Sequence, residues 1–145
     1  MRIAVVHGPN LGLLGLREPD VYGSSTLDEV NESLESLARE LELELEVFQS
    51  NHEGKILDFL EDAAGRCEGF LVNPGGLGHT SVVLRDALAG VGRPFVEVHI
   101  SNTSAREGFR RHSYLSPVAS GVVYGFGVVG YLLGLRGLAD RLSRS

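Results

Sequence analysis

Residues 2–11 read RIAVVHGPNL, a short apolar run that ends in a polar Gly-Pro-Asn turn. The run from Arg2 to Val6 favours a buried β-strand, because β-branched side chains pack well on a pleated surface. Similar apolar runs then alternate with segments of helical periodicity along the whole chain. This alternation is typical of a parallel sheet with crossover helices, and it predicts an α/β fold.

The same patterns place the other elements. We predict four further strands, at residues 43–48, 69–72, 94–99 and 118–124. Helices are predicted from Thr26, where Glu29 completes a capping-box pattern, around residues 56–63, over 81–89, and after residue 124 to about Arg141. Glutamates alternate with apolar residues in 43–48, which indicates a strand with one exposed face at an edge of the sheet.

Glycines mark the last predicted helix. Gly127, Gly130, Gly134 and Gly137 share one helical face, so we expect a neighbouring backbone to approach closely there. Residues 118–135 carry no charge, which is near the ~18 residues of a membrane span. Because three glycines and Ser120 interrupt this stretch, we interpret it as a strand, a turn and a helix, and we expect no membrane association.

Composition limits the possible functions. The chain has 145 residues with 43% apolar and 22% charged, which predicts one globular domain over residues 1–145. Its net charge of −6 and the lack of a basic patch argue against nucleic acid as a partner. A lone cysteine, Cys67, excludes an internal disulfide and fits a reducing compartment, so with no signal peptide visible we expect a cytoplasmic protein.

Unusual polar residues follow four of the predicted strands. They occupy residues 7–11, 49–54, 73–81 and 99–102. Each loop alone is weak support for a site, because Gly, Pro and Asn serve turns and Ser or Thr caps helices. In an open α/β sheet, however, ligands bind beyond the carboxyl ends of the strands, where such loops gather. We therefore predict a ligand site at that edge of the sheet.

Two residue pairs suggest acid–base chemistry. Arg17 and Tyr22 lie on one short loop, and a guanidinium beside a tyrosine favours the phenolate, which can act as a base. Glu97 and His99 are two apart on a strand, so they share a face and the carboxylate can orient the imidazole. The alternative for each pair is structural: a surface ion pair with a packed tyrosine, and a hydrogen-bonded core histidine.

Other chemistries are poorly supported. The glycine-rich loops lack the Gly-Lys-Ser/Thr ending of a P-loop, the dinucleotide fingerprint and the Gly-x-Ser-x-Gly elbow of hydrolases. The histidines have no tight ligand spacing, so we expect neither a metal nor another cofactor. Lys55, the only lysine, lies at the start of a predicted helix away from the polar loops, which argues against an imine mechanism.

Several motifs together resemble the type II 3-dehydroquinate dehydratases. They are His-Gly-Pro-Asn-Leu at 7–11, Leu-Gly-Leu-Arg-Glu-Pro at 14–19 with Tyr-Gly at 22–23, Gln-Ser-Asn-His-Glu-Gly at 49–54, Asn-Pro-Gly at 73–75 with His-Thr-Ser at 79–81, and Val-Glu-Val-His-Ile-Ser-Asn at 96–102. All occur in the family's order and approximate spacing. The resemblance implies a flavodoxin-like fold, a five-stranded parallel sheet with helices on both faces. It also implies a shikimate-pathway hydro-lyase without metal or covalent intermediate, assembled as a dodecamer that is a tetramer of trimers.

The resemblance also implies residue roles. Tyr22 would remove a proton alpha to the ketone of 3-dehydroquinate, with Arg17 lowering its pKa and closing with a lid. Asn10 would help to stabilise the enolate, and His99, held by Glu97, would protonate the departing hydroxyl in an anti elimination. The remaining substrate contacts would be Asn73, His79, Ile100, Ser101 and Arg110, with Asp86 reaching the site of a neighbouring subunit.

Three glycines depart from the family's usual residues: Gly12, Gly76 and Gly78 stand where Asn, Ala and Thr or Ser are usual. They add backbone freedom near the lid and the third loop. The rival interpretation is a non-catalytic flavodoxin-like module that senses a small ligand or receives a signal. A receiver needs an acidic cluster at the strand ends, whereas this chain has His, Asn and Ser there.

Overall fold

A parallel sheet of five strands organises the chain in the computed structural model, which describes residues 1–144. The strands are β1 (Arg2–His7), β2 (Glu44–Gln49), β3 (Gly69–Asn73), β4 (Phe95–His99) and β5 (Gly121–Tyr124). Their order across the sheet is β2-β1-β3-β4-β5, and every neighbouring pair is parallel. This is the flavodoxin-like arrangement. The predicted fold class and the edge position of β2 are therefore confirmed.

Six helices accompany the strands within residues 1–144. They are α1 (Pro19–Tyr22), α2 (Leu27–Glu40), α3 (Glu53–Ala63), α4 (Leu77–Thr80), α5 (Val82–Gly90) and α6 (Val129–Ser143). The capping box is confirmed, because the Thr26 hydroxyl accepts from the Glu29 N–H while the Glu29 carboxylate accepts from the Thr26 N–H. Helices α1 and α4 are single turns that the periodicity did not predict. Strand β5 begins later than predicted, since Ser116–Val118 forms a 3₁₀ turn.

Both faces of the sheet are covered. Ile3 and Val5 of β1 belong to the core beneath α2 and α6, whereas Ala4 and Val6 belong to the core beneath α3 and α5. Successive strand residues point to opposite faces, so a strand that is buried on both sides must be apolar throughout. This explains the uninterrupted apolar run of β1 and leaves the strand ends as the place where polar side chains can gather.

The uncharged stretch 118–135 forms β5, a turn through Gly125 and Gly127, and the first part of α6. The interpretation of this stretch as strand, turn and helix is confirmed. No helix in residues 1–144 is both long and apolar enough to cross a membrane.

The glycine face of α6 is only partly as predicted. A Cβ on Gly134 would lie 2.9 Å from Leu71 Cδ1 and from Val98 Cγ2, so the helix lies tightly on the sheet there. The close neighbours are strand side chains rather than a second backbone. Gly127 precedes the helix with φ of 63°, and Gly137 is exposed with no atom within 4 Å of an added Cβ. The prediction was wrong for these two residues, because helical periodicity does not reveal how much of a face is covered.

Gly134→Ala and Gly137→Ala form a matched test of this packing. We expect Gly134→Ala to lower the free energy of unfolding by about 1–3 kcal/mol, because the methyl group overpacks the core. Gly137→Ala should raise it by about 0.5–1 kcal/mol through helix propensity alone. Urea denaturation of both variants measures the difference. A stabilising Gly134→Ala would contradict the close contact between α6 and the sheet.

Candidate active site

A cavity of about 180 Å³ opens at the carboxyl edge of the sheet. Loops after β1, β3 and β4 form its walls, and the segment from Arg17 to Tyr22 covers it. Nine of the predicted site residues line the cavity: Asn10, Arg17, Tyr22, Asn73, His79, His99, Ile100, Ser101 and Arg110. Three of the four polar loops therefore converge on one cavity, as predicted.

The fourth loop, after β2, supports the site without lining the cavity. Asn51 Oδ1 accepts from the Asn10 N–H at 3.0 Å, and Gln49 Nε2 donates to Gly8 O at 3.2 Å. Asn10 itself is in the left-handed region with φ of 71°, a conformation that asparagine tolerates better than most residues. The β2 loop thus fixes the backbone turn that brings Asn10 to the cavity.

The loops after β1 and β3 cross in close contact. A Cβ on Gly8 would lie 2.4 Å from Pro74 O, and one on Gly75 would lie 2.8 Å from Pro9 O. Gly75 also has φ of 59°, which any larger residue would adopt with strain. Glycine is thus required on both sides of the crossing, which sets the distance between the two walls of the cavity.

Tyr22 lies between two guanidinium groups. Arg106 Nη1 donates to the Tyr22 hydroxyl at 2.7 Å, whereas Arg17 Cζ lies over the face of the tyrosine ring at 4.8 Å from its centroid. The predicted meeting of Arg17 and Tyr22 is confirmed, although Arg17 contacts the ring and not the oxygen. Arg106 also contacts Ser101 Oγ at 3.3 Å and Glu18 Oε2 at 3.9 Å. Two guanidinium groups thus place positive charge next to the Tyr22 phenol.

Sequence reasoning missed Arg106, which lies in the segment after β4 that also carries Arg110 and Arg111. Three arginines so close together in a chain of net charge −6 were an available signal. The polar loop predicted after the fourth strand ended at Asn102, four residues before Arg106.

His99 is held by a buried carboxylate. Its Nε2 lies 2.5 Å from Glu97 Oε2, and Glu97 is completely buried. The Ser113 hydroxyl donates to Glu97 at 2.8 Å and the Ser116 hydroxyl at 2.6 Å. Burial opposes ionisation of Glu97, but the hydrogen bonds from His99, Ser116 and Ser113 outweigh it and hold its pKa below the usual value. The predicted contact of Glu97 with His99 is confirmed, and it leaves Nδ1 as the nitrogen that can serve the cavity.

The other predicted residues differ in their surroundings. Asn73 is 3% exposed, and both atoms of its amide are bonded: Nδ2 to the Tyr131 hydroxyl and Oδ1 to the Gly75 N–H. Arg110 pairs with Glu107, and its guanidinium lies over the Phe109 ring. Asp86 is exposed on α5 and does not line the cavity.

The side chains that commonly bind metals are those of His, Cys, Asp and Glu. Within residues 1–144, no cluster of three or more His, Cys, Asp or Glu side chains could hold a metal ion.

The arrangement suits paired proton transfer. One side of the cavity carries a phenol beside two cations, and another carries an imidazole on a carboxylate. A phenol in a cationic environment can act as a base, and an imidazole that a carboxylate stabilises in its protonated form can act as an acid. Together they can remove a proton from one carbon of a bound molecule and protonate a leaving group on another.

Known proteins are similar to this chain in sequence and in fold. The family model described as "Dehydroquinase class II" matches residues 1–139. A 3-dehydroquinate dehydratase of Gloeobacter violaceus is 55% identical over 144 residues, which cover 99% of this chain and 90% of that protein. A solved type II dehydroquinase of Butyrivibrio crossotus superposes with a TM-score of 0.93 at 39% identity, covering 95% of this chain and 97% of the other. A solved type II dehydroquinase of Propionibacterium acnes gives a TM-score of 0.91 at 41% identity, covering 96% of each chain.

The lowered pKa of Glu97 predicts a pH dependence of stability. Because the folded state favours the carboxylate, Glu97 contributes stability above the unfolded pKa of about 4.3, and this contribution is lost as the pH falls through the lower folded pKa. We expect the unfolding free energy of the wild type to fall more between pH 6 and pH 3 than that of Glu97→Gln, measured with urea. The exposed Glu61, substituted in the same way, serves as control. An equal loss in Glu97→Gln and wild type would contradict this assignment.

Proposed function

The chain belongs to the class II dehydroquinase family and is a hydro-lyase that acts on 3-dehydroquinate in the shikimate pathway; from this premise we propose how its side chains carry out the reaction. One observation supports the proposal most strongly: a single cavity is lined by the Tyr22 hydroxyl, bonded to Arg106, and by His99, bonded to Glu97. Tyr22 acts as the base and His99 as the acid. The reaction is an anti elimination through an enolate.

In the first step, the Tyr22 phenolate takes a proton alpha to the ketone. The electron pair of the broken C–H bond moves into the ring and places negative charge on the ketone oxygen. Arg106, which contacts the Tyr22 hydroxyl, and Arg17, which lies over its ring, supply positive charge beside the oxygen that takes the proton in this step. Asn10, held at the cavity by its bond to Asn51, contributes to stabilising the enolate oxygen.

In the second step, the enolate collapses and the C–O bond to the beta hydroxyl breaks. Protonated His99 supplies the proton, so that the hydroxyl leaves as water and a conjugated enone remains. Glu97 stabilises the imidazolium before this transfer and orients the ring. Tyr22 ends protonated and His99 neutral, and exchange of one proton with solvent resets both groups.

The remaining residues hold the substrate. They line the same cavity as Tyr22 and His99, and they are Asn73, His79, Ile100, Ser101 and Arg110. Arg110 has a planar guanidinium that can bind a carboxylate at two points, and exchange of its Glu107 partner for substrate frees it to do so. Ser101 is already oriented by its contact with Arg106.

We further propose that the chain assembles as a dodecamer, a tetramer of trimers, in the cytoplasm. Asp86 supports the assembly, because it lies exposed on α5 outside its own cavity and is available to the site of a neighbouring subunit. The alternative of a non-catalytic binding module is not favoured, since the family and the relatives are dehydratases.

Tyr22→Phe tests the assignment of the base. We expect kcat to fall by about 10²–10⁴-fold, the usual contribution of a general base, because phenylalanine cannot accept the proton. The ultraviolet absorbance of the conjugated enone follows turnover of 3-dehydroquinate, with a chelator in a parallel sample. Tyr124→Phe is the matched control, since this tyrosine lies outside the cavity on β5. Full activity in Tyr22→Phe would refute the proposed role.

Arg106→Gln tests the cation beside the phenol. Glutamine removes the positive charge that contacts the Tyr22 hydroxyl and stabilises negative charge on its oxygen in the first step, so kcat at neutral pH should fall. The exposed Arg111, substituted in the same way, should leave kcat unchanged. If both variants behave alike, Arg106 does not act on Tyr22.

Mixed oligomers test the role of Asp86. Tyr22→Phe chains and Asp86→Ala chains should each be nearly inactive alone. When they are co-expressed, an intact Tyr22 in one chain meets an intact Asp86 from its neighbour, so part of the activity should return. Light scattering should give the mass of about twelve chains. A fully active monomer, or mixtures without recovered activity, would exclude a shared site.

A further inference from the structure

A line of hydrogen bonds lies behind the cavity and joins four elements of the fold. It begins at the backbone N–H of Gly75, which is 3.1 Å from Asn73 Oδ1. Asn73 Nδ2 lies 2.9 Å from the Tyr131 hydroxyl on α6, and that hydroxyl lies 2.9 Å from His7 Nδ1 at the end of β1. His7 Nε2 lies 2.8 Å from Asn31 Oδ1 on α2. We call this line the Asn73 relay.

The direction of each bond in the relay follows from its first member. A backbone N–H can only donate, so Asn73 must turn Oδ1 to Gly75 and Nδ2 to Tyr131. The Tyr131 oxygen accepts from Asn73, and its own O–H then donates to His7 Nδ1. Among the contacts of this buried hydroxyl within residues 1–144, His7 Nδ1 is the one that can accept its O–H, so we assign the His7 proton to Nε2, which donates to Asn31. The opposite direction would place two donors against each other at Gly75.

Burial protects this arrangement from water. His7 and Tyr131 are completely buried, and Asn73 is 3% exposed. Burial lowers the pKa of His7 to about 4, against the smaller effect of its bond to Asn31, and it raises the pKa of Tyr131. Both groups are thus neutral at neutral pH, as the relay requires. None of the proton transfers in the proposed reaction uses either residue.

The relay determines what Asn73 offers to the cavity. The bond to Gly75 uses the amide oxygen, and the bond to Tyr131 uses one hydrogen of Nδ2. We propose that Tyr131 and His7 are positioning residues that hold the Asn73 amide with its remaining N–H, and not its oxygen, toward the substrate. This N–H suits an acceptor such as a carboxylate or hydroxyl oxygen. The inference rests on the proposed function and deepens it, because it says how one substrate contact is oriented from the core.

Tyr131→Phe tests the positioning. The phenylalanine ring keeps the packing but removes the hydroxyl that accepts from Asn73 Nδ2. We expect KM to rise about tenfold, because the freed amide binds the substrate less well. The value of kcat should be nearly unchanged, because the substrate contact is equally strong in the ground state and the transition state. The effect must act through Asn73. In an Asn73→Ala background, the same substitution should therefore change KM by less than about twofold. Additive effects in the two backgrounds, or an unchanged KM in Tyr131→Phe, would overturn the proposal.

His7 variants separate the relay from simple packing. A glutamine can both accept from Tyr131 and donate to Asn31, because its side-chain amide has a carbonyl oxygen that accepts and an NH₂ group that donates. A leucine can do neither. We expect His7→Gln to retain the wild-type KM within about threefold and His7→Leu to reproduce the rise in KM of Tyr131→Phe. A folded His7→Leu with wild-type KM would overturn the proposal.

The histidine tautomer provides a readout that does not depend on turnover. In ¹⁵N NMR of the wild-type protein at neutral pH, we expect His7 to be protonated on Nε2 and unprotonated on Nδ1. Protonation of Nδ1, or of both nitrogens, would overturn the relay even if the enzyme is active. Failure of the proposed function would be visible separately, as absence of enone from the wild type while the tautomer is still the expected one.

Discussion

The parallel hydrogen-bond ladder of β1, β3 and β4 is the constraint on which the rest of the structure depends. Because the strands run in one direction, their carboxyl ends meet at one edge, and every connecting helix must return along a face of the sheet. The register pairs His7 with Asn73 and Val72 with Glu97. Apolar strands buried on both faces leave this edge for polar chemistry. Loops that are far apart in sequence therefore form the walls of one cavity.

Two titratable groups in that cavity are given opposite surroundings. Tyr22 has a guanidinium on its oxygen and another over its ring, whereas His99 has a carboxylate on Nε2. Positive charge therefore faces the phenol, and negative charge faces the imidazole. Ser113 and Ser116 keep the buried Glu97 carboxylate hydrogen-bonded, since an unpaired buried charge would be costly. One small site thus holds two proton-bearing side chains in opposite electrostatic surroundings, as the proposed elimination requires.

Buried polar groups tie the cavity to the core as well as to the edge of the sheet. His7 and Tyr131 lie among apolar side chains, yet each of their polar atoms has a partner. A polar group in such surroundings stabilises one arrangement strongly, because any alternative leaves a donor or acceptor without a partner. The orientation of Asn73 is consequently set by the packing of α6 on the sheet. The close contact between Gly134 and Leu71 is part of that packing.

The resemblance of the chain's motifs to a known family identified most residues of the cavity. The class of fold, the edge strand and the capping box of α2 were predictable from the amino-acid sequence, because periodicity and turn chemistry are encoded locally. The close pairs Arg17 with Tyr22 and Glu97 with His99 were predictable for the same reason. Packing in three dimensions, by contrast, brings Arg106 to the hydroxyl of Tyr22, 84 positions away, and covers Gly134 but not Gly137. Such contacts depend on how crossover helices and loops meet in space, which no local pattern specifies.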